Sequence, residues 1–575
     1  MQTTNDNFNT TKIFFRGIII ALLMYVALGS ADVRGGDILR IGFLQEPKTL
    51  NIWSASDRWS HKVLGQVYQP LYIREPKDLK LVPWLAEDHP VYDPVMLSYT
   101  IKLRPAKWSD GSELTSEDVA FTGKFIKEFR VPIYYSNWRF IKKIETPDKH
   151  TVRFYLKEPK AIFLTRTLTT PVVQKREWLQ VVANARKTEY PLHHVLAHSV
   201  KRPISSGPFV LKDWKTGDSL FLERNTYFFG KGRTIGGQVL GPHINGIFFK
   251  IFRNSKTAVS ALKKGEIDMF WWSIPPEHLK ELLENQNIEF YLNERSALHF
   301  IGFNVRKRPF SDINFRRAVA TLIDRDYIIT NLLNYNAVKM YSIVPPGNTF
   351  WYNADVPKYG DRLSREARVR EAYEILKKAG YTWKVPPVDS NGNFGKGEGI
   401  VMPDGRAMKV ITILTPTADY DSRRFKTSMM TEKWLRGIGI PANAKAMKFG
   451  DLIHLIKDRH QFDLFVLGYG NLSLDPDYLR SFFHSRNDKP GGWNMSGYRN
   501  PVYDRIADES ARAMQPETRR ELIWKMQYII MQDVPYFPLY NPKMIEGIRE
   551  ESFRGWVEML GGIGNIWSFC QIRPK

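Results

Sequence analysis

The sequence predicts a mixed α/β protein of two or three lobes, and three observations lead there. The segment Ser98 to Arg104 alternates, with Tyr99, Ile101 and Leu103 facing one way and Thr100, Lys102 and Arg104 the other, the two-residue period of a half-buried strand. Val119, Thr122, Phe125, Ile126 and Phe129 then fall on one face of a helix. Such strand and helix patterns recur along 575 residues, a length too great for a single core.

Each element has a local cause. Between the first strand and its helix, Ser109-Asp110-Gly111 supplies a turn in which glycine can take a positive φ. Thr115 stands three residues before Asp118, the spacing of a capping box. Ile38 to Phe43 reads as a short opening strand, and Thr151 to Leu156 alternates through Val152, Phe154 and Leu156. Two further strands are expected at Phe209 to Lys212 and Leu220 to Arg224, and another at Ile247 to Phe252. A helix over Ala258 to Lys264 ends at Gly265, a suitable C′ residue. Ser311 or Asp312 caps a helix that turns Phe315, Ala318, Val319 and Leu322 inward. A second clear helix starts at Ser364 and stops at Gly380. Residues 384–406, rich in Gly, Pro, Asp and Asn, read as a surface excursion, with a turn rather than a calcium loop at Asp389 to Asn393. Phe462 to Leu467 reads as a strand and Arg519 to Gln532 as a helix.

Lys and Arg outnumber Asp and Glu by 83 to 60, a formal charge of +23. Such a surface favours anionic partners. The basic residues are scattered, without the compact tract of a nucleic-acid binder, so nucleic acid is not expected as a partner. The single cysteine, Cys570, excludes an intramolecular disulfide and a Cys-based metal cluster. Lys12 and Arg16 precede twelve uncharged residues, Gly17 to Leu28, followed by the small residues Gly29, Ser30 and Ala31. Residues 1–31 are therefore expected to be a signal peptide cleaved before Asp32, the apolar run being shorter than the roughly 20 residues of a membrane span; an uncleaved anchor is the alternative.

The wording of several segments goes further. Pro83 to Glu87 reads P-x-L-A-E; Leu103-Arg104 leads to Trp108-Ser109-Asp110-Gly111; Leu114 to Phe121 reads L-T-S-E-D-V-x-F. Pro203 to Phe209, the run Asn225 to Phe229, Ala261 to Asp268 (A-L-x-x-G-E-I-D) and Pro309 to Val319 follow in order. Together these resemble family 5 of the extracellular solute-binding proteins, which includes the oligopeptide-, dipeptide- and nickel-binding proteins of ABC importers. The resemblance covers nearly the whole chain after the signal segment. It implies a type II periplasmic-binding-protein-like fold: bilobal, with three interleaved α/β domains and hinge closure. It implies that 32–79, 203–298 and 533–575 form lobe 1 (domain I), 80–202 domain II, and 299–532 lobe 2 (domain III). It further implies a monomeric periplasmic receptor that captures a peptide or other small molecule and delivers it to ABC permease subunits in the inner membrane. Oligosaccharide, opine-like compound and nickel chelate are alternative ligands; a chaperone-like peptide binder or heme-precursor binder is an alternative role.

No G-x-S-x-G elbow, P-loop, HExxH or strand-preceded G-x-G-x-x-G is present, so no enzyme, cofactor or metal is expected. His193, His194 and His198 are read as surface histidines despite the i, i+4 spacing of the last two. In the family's peptide binders a carboxylate pairs the ligand's amine, and the matching stretch here is Leu467 to Tyr478, in which Asp475-Pro476-Asp477 aligns with the family's D-P-D. The amine-pairing position itself is occupied by Leu472, and Tyr469 stands where a Trp is common. Asp475, Tyr469 and Asn471 are thus expected at the ligand site, Asp475 either meeting a ligand amine or capping the next helix. Trp271 and Trp272, directly after the G-E-I-D motif, are candidates for an aromatic wall, at most one of them facing the ligand. Arg423, with Arg424, could meet an anionic group bidentately or form an exposed helix face.

Overall fold

The computed structural model describes residues 37–575; the expected signal segment lies outside the described residues. One mixed sheet runs through the molecule in the order Ala442–Met447, Ile411–Pro416, Leu464–Tyr469, Leu298–Phe303, Tyr536–Arg549, Met269–Phe270, Ile38–Phe43, Gly246–Ile251, Ser219–Arg224 and Phe209–Lys215. Its two halves are joined by Tyr536–Arg549. The first part of that strand pairs with Leu298–Phe303 and Ala337–Lys339, and the second with Ile288–Glu294 and Met269–Phe270. Pro538 and Pro542 interrupt its sequence pattern, because proline withholds a ladder donor; the register shifts between His299 and Phe300, opposite Pro538.

A second, four-stranded antiparallel sheet has the order Val91–Asp93, Ser98–Lys102, Thr151–Leu156 and Ile141–Asp148. The helix Ser116–Glu128 packs on it, and the Thr115 backbone N–H donates to the Asp118 carboxylate at 2.9 Å across the spacing of a capping box. Gly111 has φ +83°, as its turn requires. A continuous core joins this sheet to the half of the large sheet built on Ile38–Phe43, and Trp53, Trp84, Trp108, Trp178 and Trp567 are fully buried in it. These five tryptophans are thus packing residues.

The family-like phrases have structural tasks. Asp268 of the A-L-x-x-G-E-I-D run accepts from the Arg40 backbone N–H (2.8 Å) and from its guanidinium at 3.0 and 2.6 Å, pinning the first strand beside Met269–Phe270. Gly265 ends the preceding helix at φ +75°. In the Pro203 to Phe209 run, a Cβ on Gly207 would lie 2.1 Å from the Gln66 carbonyl oxygen, so only glycine lets the two backbones approach. Asp312 and Ser364 cap the helices Ile313–Leu322 and Arg365–Lys378. The excursion at 384–406 contains most of a small hairpin, Thr382–Val385 with Glu398–Val401, which the sequence did not disclose. Asp389 accepts backbone N–H bonds from Asn391 and Asn393, an ordinary turn.

Candidate functional site

Cavities open where the two halves of the large sheet meet, and side chains from both line them. On one side, Asp57 caps the helix Arg58–Val67 by accepting from Trp59 N (3.0 Å) and Ser60 N (2.9 Å). Arg58 and Lys62, one turn apart, therefore share a face. The Arg58 guanidinium lies 4.5 Å from the Trp272 ring centroid, and Trp272 stacks on Trp59 at 5.3 Å. Lys62 Nζ sits 3.7 Å over Trp271 and donates to the Trp271 carbonyl at 3.0 Å. Adjacent tryptophans thus divide their tasks. Trp271 is 4% exposed among Phe43, Phe249 and Phe569, whereas the half-buried Trp272 fronts the cleft.

On the other side, the helix Ala418–Gly437 is broken at Asp421 (φ −152°, ψ 92°), whose carboxylate accepts from the backbone N–H of Arg423 and Arg424, both at 3.1 Å. Asp421 thereby acts as the cap of the main helical segment and sets both arginines in its first turn. Arg424 is inward, its Nε 3.0 Å from Asp421, while Arg423 is half exposed with its Nε 3.9 Å away. Arg295 comes from the short link between Ile288–Glu294 and Leu298–Phe303.

Two neighbouring cavities result. One, of about 640 Å³, is lined by Arg58, His61, Lys62, Gln66, Trp271 and Asn471. The other, of about 520 Å³, is lined by Trp272, Arg295, Asn334, Asn336, Arg423 and Lys543, among others. The structure so brings Trp271 and Asn471 to one cavity, and Trp272 and Arg423 to the next.

The site is electrostatically one-sided. Burial, and after it the charges of Arg58 and Arg295, hold the Lys62 ammonium well below its ordinary range, against the pull of Glu546. Burial, Arg58 and Arg423 lower Arg295. His299 is driven well below the usual imidazole range by burial and then by Arg424, Arg423 and Arg295, and is neutral. Glu546, which accepts from Ile563 N at 2.7 Å, is pushed up to about 7 by burial. The cluster sets six cations (Arg58, Lys62, Arg295, Arg423, Arg424, Lys543) against the three carboxylates of Asp421, Glu546 and Glu277.

Asp475 is placed differently. It is 1% exposed, and Arg519 grips it bidentately at 2.6 and 2.9 Å. Asp477 N donates to it at 2.9 Å and Thr165 Oγ1 makes the fourth contact. A carboxylate offers about four acceptor positions, and all four are taken, which leaves none for a ligand amine. Its carboxyl is held below the usual carboxylate range, as Arg519 overcomes the desolvation of burial. Tyr469 lies between Phe300 (5.6 Å) and Phe482 (4.7 Å) in a stack of rings, its hydroxyl buried without a partner among the described residues. Leu472 is buried, and its N–H donates to the Ser296 carbonyl. His193, His194 and His198 share one surface hollow, and no metal-ligating cluster occurs among the described residues. Arg58, Lys62 and Arg295 are site residues that sequence reasoning missed. The i, i+4 pair after an Asp cap was a readable signal for the first two, while nothing local marks Arg295.

This bilobal sheet with a cleft between its halves is the type II periplasmic-binding-protein fold. Residues 80–490 match the bacterial extracellular solute-binding proteins, family 5 (middle region), and the chain belongs to that family of solute-binding receptors. It is 26% identical over 521 residues to the oligopeptide-binding protein AppA of Bacillus subtilis, covering 88% of this chain and 87% of that one. It is 24% identical over 548 residues to the glutathione-binding protein GsiB of Salmonella typhi, covering 94% and 95%. Among solved structures, AppA in complex with a nonapeptide has TM-score 0.61 at 24% identity, covering 93% of this chain and 98% of that one. HbpA2 from Haemophilus parasuis has TM-score 0.74 at 20% identity, covering 94% and 100%. These structural likenesses establish the fold.

Proposed function

We propose that this protein is the periplasmic receptor of an ABC import system, capturing peptides in the cleft between its two halves and presenting them to the permease. The observation that carries this reading is the pair of cavities where the halves meet, walled by Trp272, Asn471 and Arg423 on a fold shared with peptide binders. A clamp of this kind gains affinity from contacts made only when shut, with water excluded. Relatives named for oligopeptide and glutathione binding support the peptide class. In this reading 32–79, 203–298 and 533–575 make lobe 1, 80–202 domain II and 299–532 lobe 2. The protein is a monomer exported by its N-terminal signal segment, and it turns over no substrate. No helix among the described residues is long and apolar enough to cross a membrane.

The test is mass spectrometry of small molecules released by denaturing protein exported to the periplasm. Short peptides are the expected result. Recovery of a sugar or a metal chelate instead would overturn the peptide assignment.

A further inference from the structure

Three cationic residues of the cleft, Arg58, Lys62 and Arg295, lack the carboxylate partners that Arg40, Arg368 and Arg519 have elsewhere in the chain. No Asp or Glu lies within ion-pair distance of Arg58, Lys62 or Arg295 among the described residues. Arg295 Nε is buried with no hydrogen-bond partner among them. Of the carboxylates nearby, Asp421 is bound to Arg424 and to backbone N–H groups, Glu546 accepts from Ile563 N and attracts Lys62 and Arg295 only at a distance, and Glu277 lines the second cavity without an ion pair to them. Arg58 and Lys62 stand on the helix Arg58–Val67, which packs on Phe209–Lys215 in one half; Arg423 stands on the helix that covers Ile411–Pro416 and Ala442–Met447 in the other. Shutting the cleft therefore drives like charges toward each other in a space that excludes water, where an unpaired cation is costly. An anion placed between them converts that repulsion into attraction from both sides, and a guanidinium offers a planar fork that fits a carboxylate.

We propose that this cleft selects a ligand carrying at least two carboxylate-type anionic groups, gripped by Arg58 and Lys62 from one half, by Arg423 from the other and by Arg295 from the link between them, with Trp272 against its body. The proposal rests on the receptor reading above, but it is separable from the peptide class. The formal charge of +23 acts in the same direction, by raising the local concentration of anions around the protein.

The test is titration calorimetry on the full mature chain, unfolded and refolded to strip bound ligand, with three probes: the peptide Ala-Glu-Glu-Ala, its isostere Ala-Gln-Gln-Ala, and citrate. The acidic peptide should bind at least tenfold more tightly than the neutral one. The preference should shrink as salt rises, since screening weakens charge pairing, and it should vanish in an R295Q/R423Q double variant. Should that variant melt well below the parent, Arg58→Gln, at an exposed first-turn position, repeats the comparison and should reduce the preference. Equal affinity for the two peptides overturns anion selection while leaving the peptide receptor standing. Citrate binding that the double variant loses, with neither peptide bound, supports anion selection and overturns the peptide class. Binding of none of the three overturns the proposal.

Discussion

Asp475 with Arg519 and the group Arg58, Lys62, Arg295 and Arg423 are both charged clusters at the junction of the two halves, and they are opposites in chemistry. The first is saturated: every acceptor position of Asp475 is filled, chiefly by Arg519, and Thr165 supplies a contact from a segment 310 residues away. The second is open, with cations outnumbering carboxylates and cavities of about 640 and 520 Å³ beside them. Charge neutralised inside a fold belongs to its architecture. Charge left uncompensated in a cavity marks where something else completes the structure. The aligned D-P-D points to the first cluster, whereas the charge left without a partner lies in the second.

The comparison can be broken most sharply at Arg519. Arg519→Met strands a buried carboxylate, and its unfolding free energy in urea should fall by about 3–5 kcal/mol, the usual cost of removing one partner of a buried pair. Ligand affinity should stay within about threefold of the parent. A large affinity loss with stability retained would move Asp475 into the binding site. Next in size is the response of Trp272→Ala. Loss of the Trp59 stack and of the Arg58 contact should weaken ligand binding by about tenfold, as expected for about 1–1.5 kcal/mol of aromatic contact, with a smaller change in melting temperature.

Buried carboxyls sharpen the comparison through pH. Glu177 is pushed up to about 7, mainly by burial. Its native state therefore holds a proton that the unfolded chain has released above its ordinary pKa of about 4.3. Between those two values stability falls as pH rises, at up to about 1.4 kcal/mol per pH unit from this one group. Chemical denaturation of Glu177→Gln between pH 5 and 7 should show that slope reduced. Asp475 has the opposite sign: its native pKa is lowered, so its contribution is present at neutral pH and is lost only as pH falls below the ordinary carboxylate range. The smallest effect is expected at His194→Ala, a surface position whose stability should change by no more than about 0.5 kcal/mol, with no change in bound metal by elemental analysis.

Local signals made much of the fold legible. Capping residues placed the starts of Ser116–Glu128, Ile313–Leu322 and Arg365–Lys378, and the alternating run Thr151–Leu156 is a strand with those bounds. The central strand Tyr536–Arg549 was hidden because Pro538, Pro542 and Gly547 break the pattern that strands present. A helix face was one reading at Arg423 and Arg424, but the bounds Ala418–Gly437 were hidden because the cap, Asp421, lies inside an apparently continuous helical run and the apolar positions form no clean stripe. Trp271, Trp272 and Arg423 were readable as candidates since aromatic and cationic side chains are suited to ligands. That they meet Arg58, Lys62 and Arg295 was not readable, because the cleft draws on segments more than 350 residues apart, and no local pattern encodes such a meeting.

The most direct test of the clamp is small-angle X-ray scattering of ligand-stripped protein with and without a saturating concentration of Ala-Glu-Glu-Ala. If the cations of the two halves repel until an anion joins them, the radius of gyration falls on saturation and does not fall in the R295Q/R423Q variant. Saturable binding that leaves the radius of gyration of the parent unchanged would contradict closure around a charge-matched ligand.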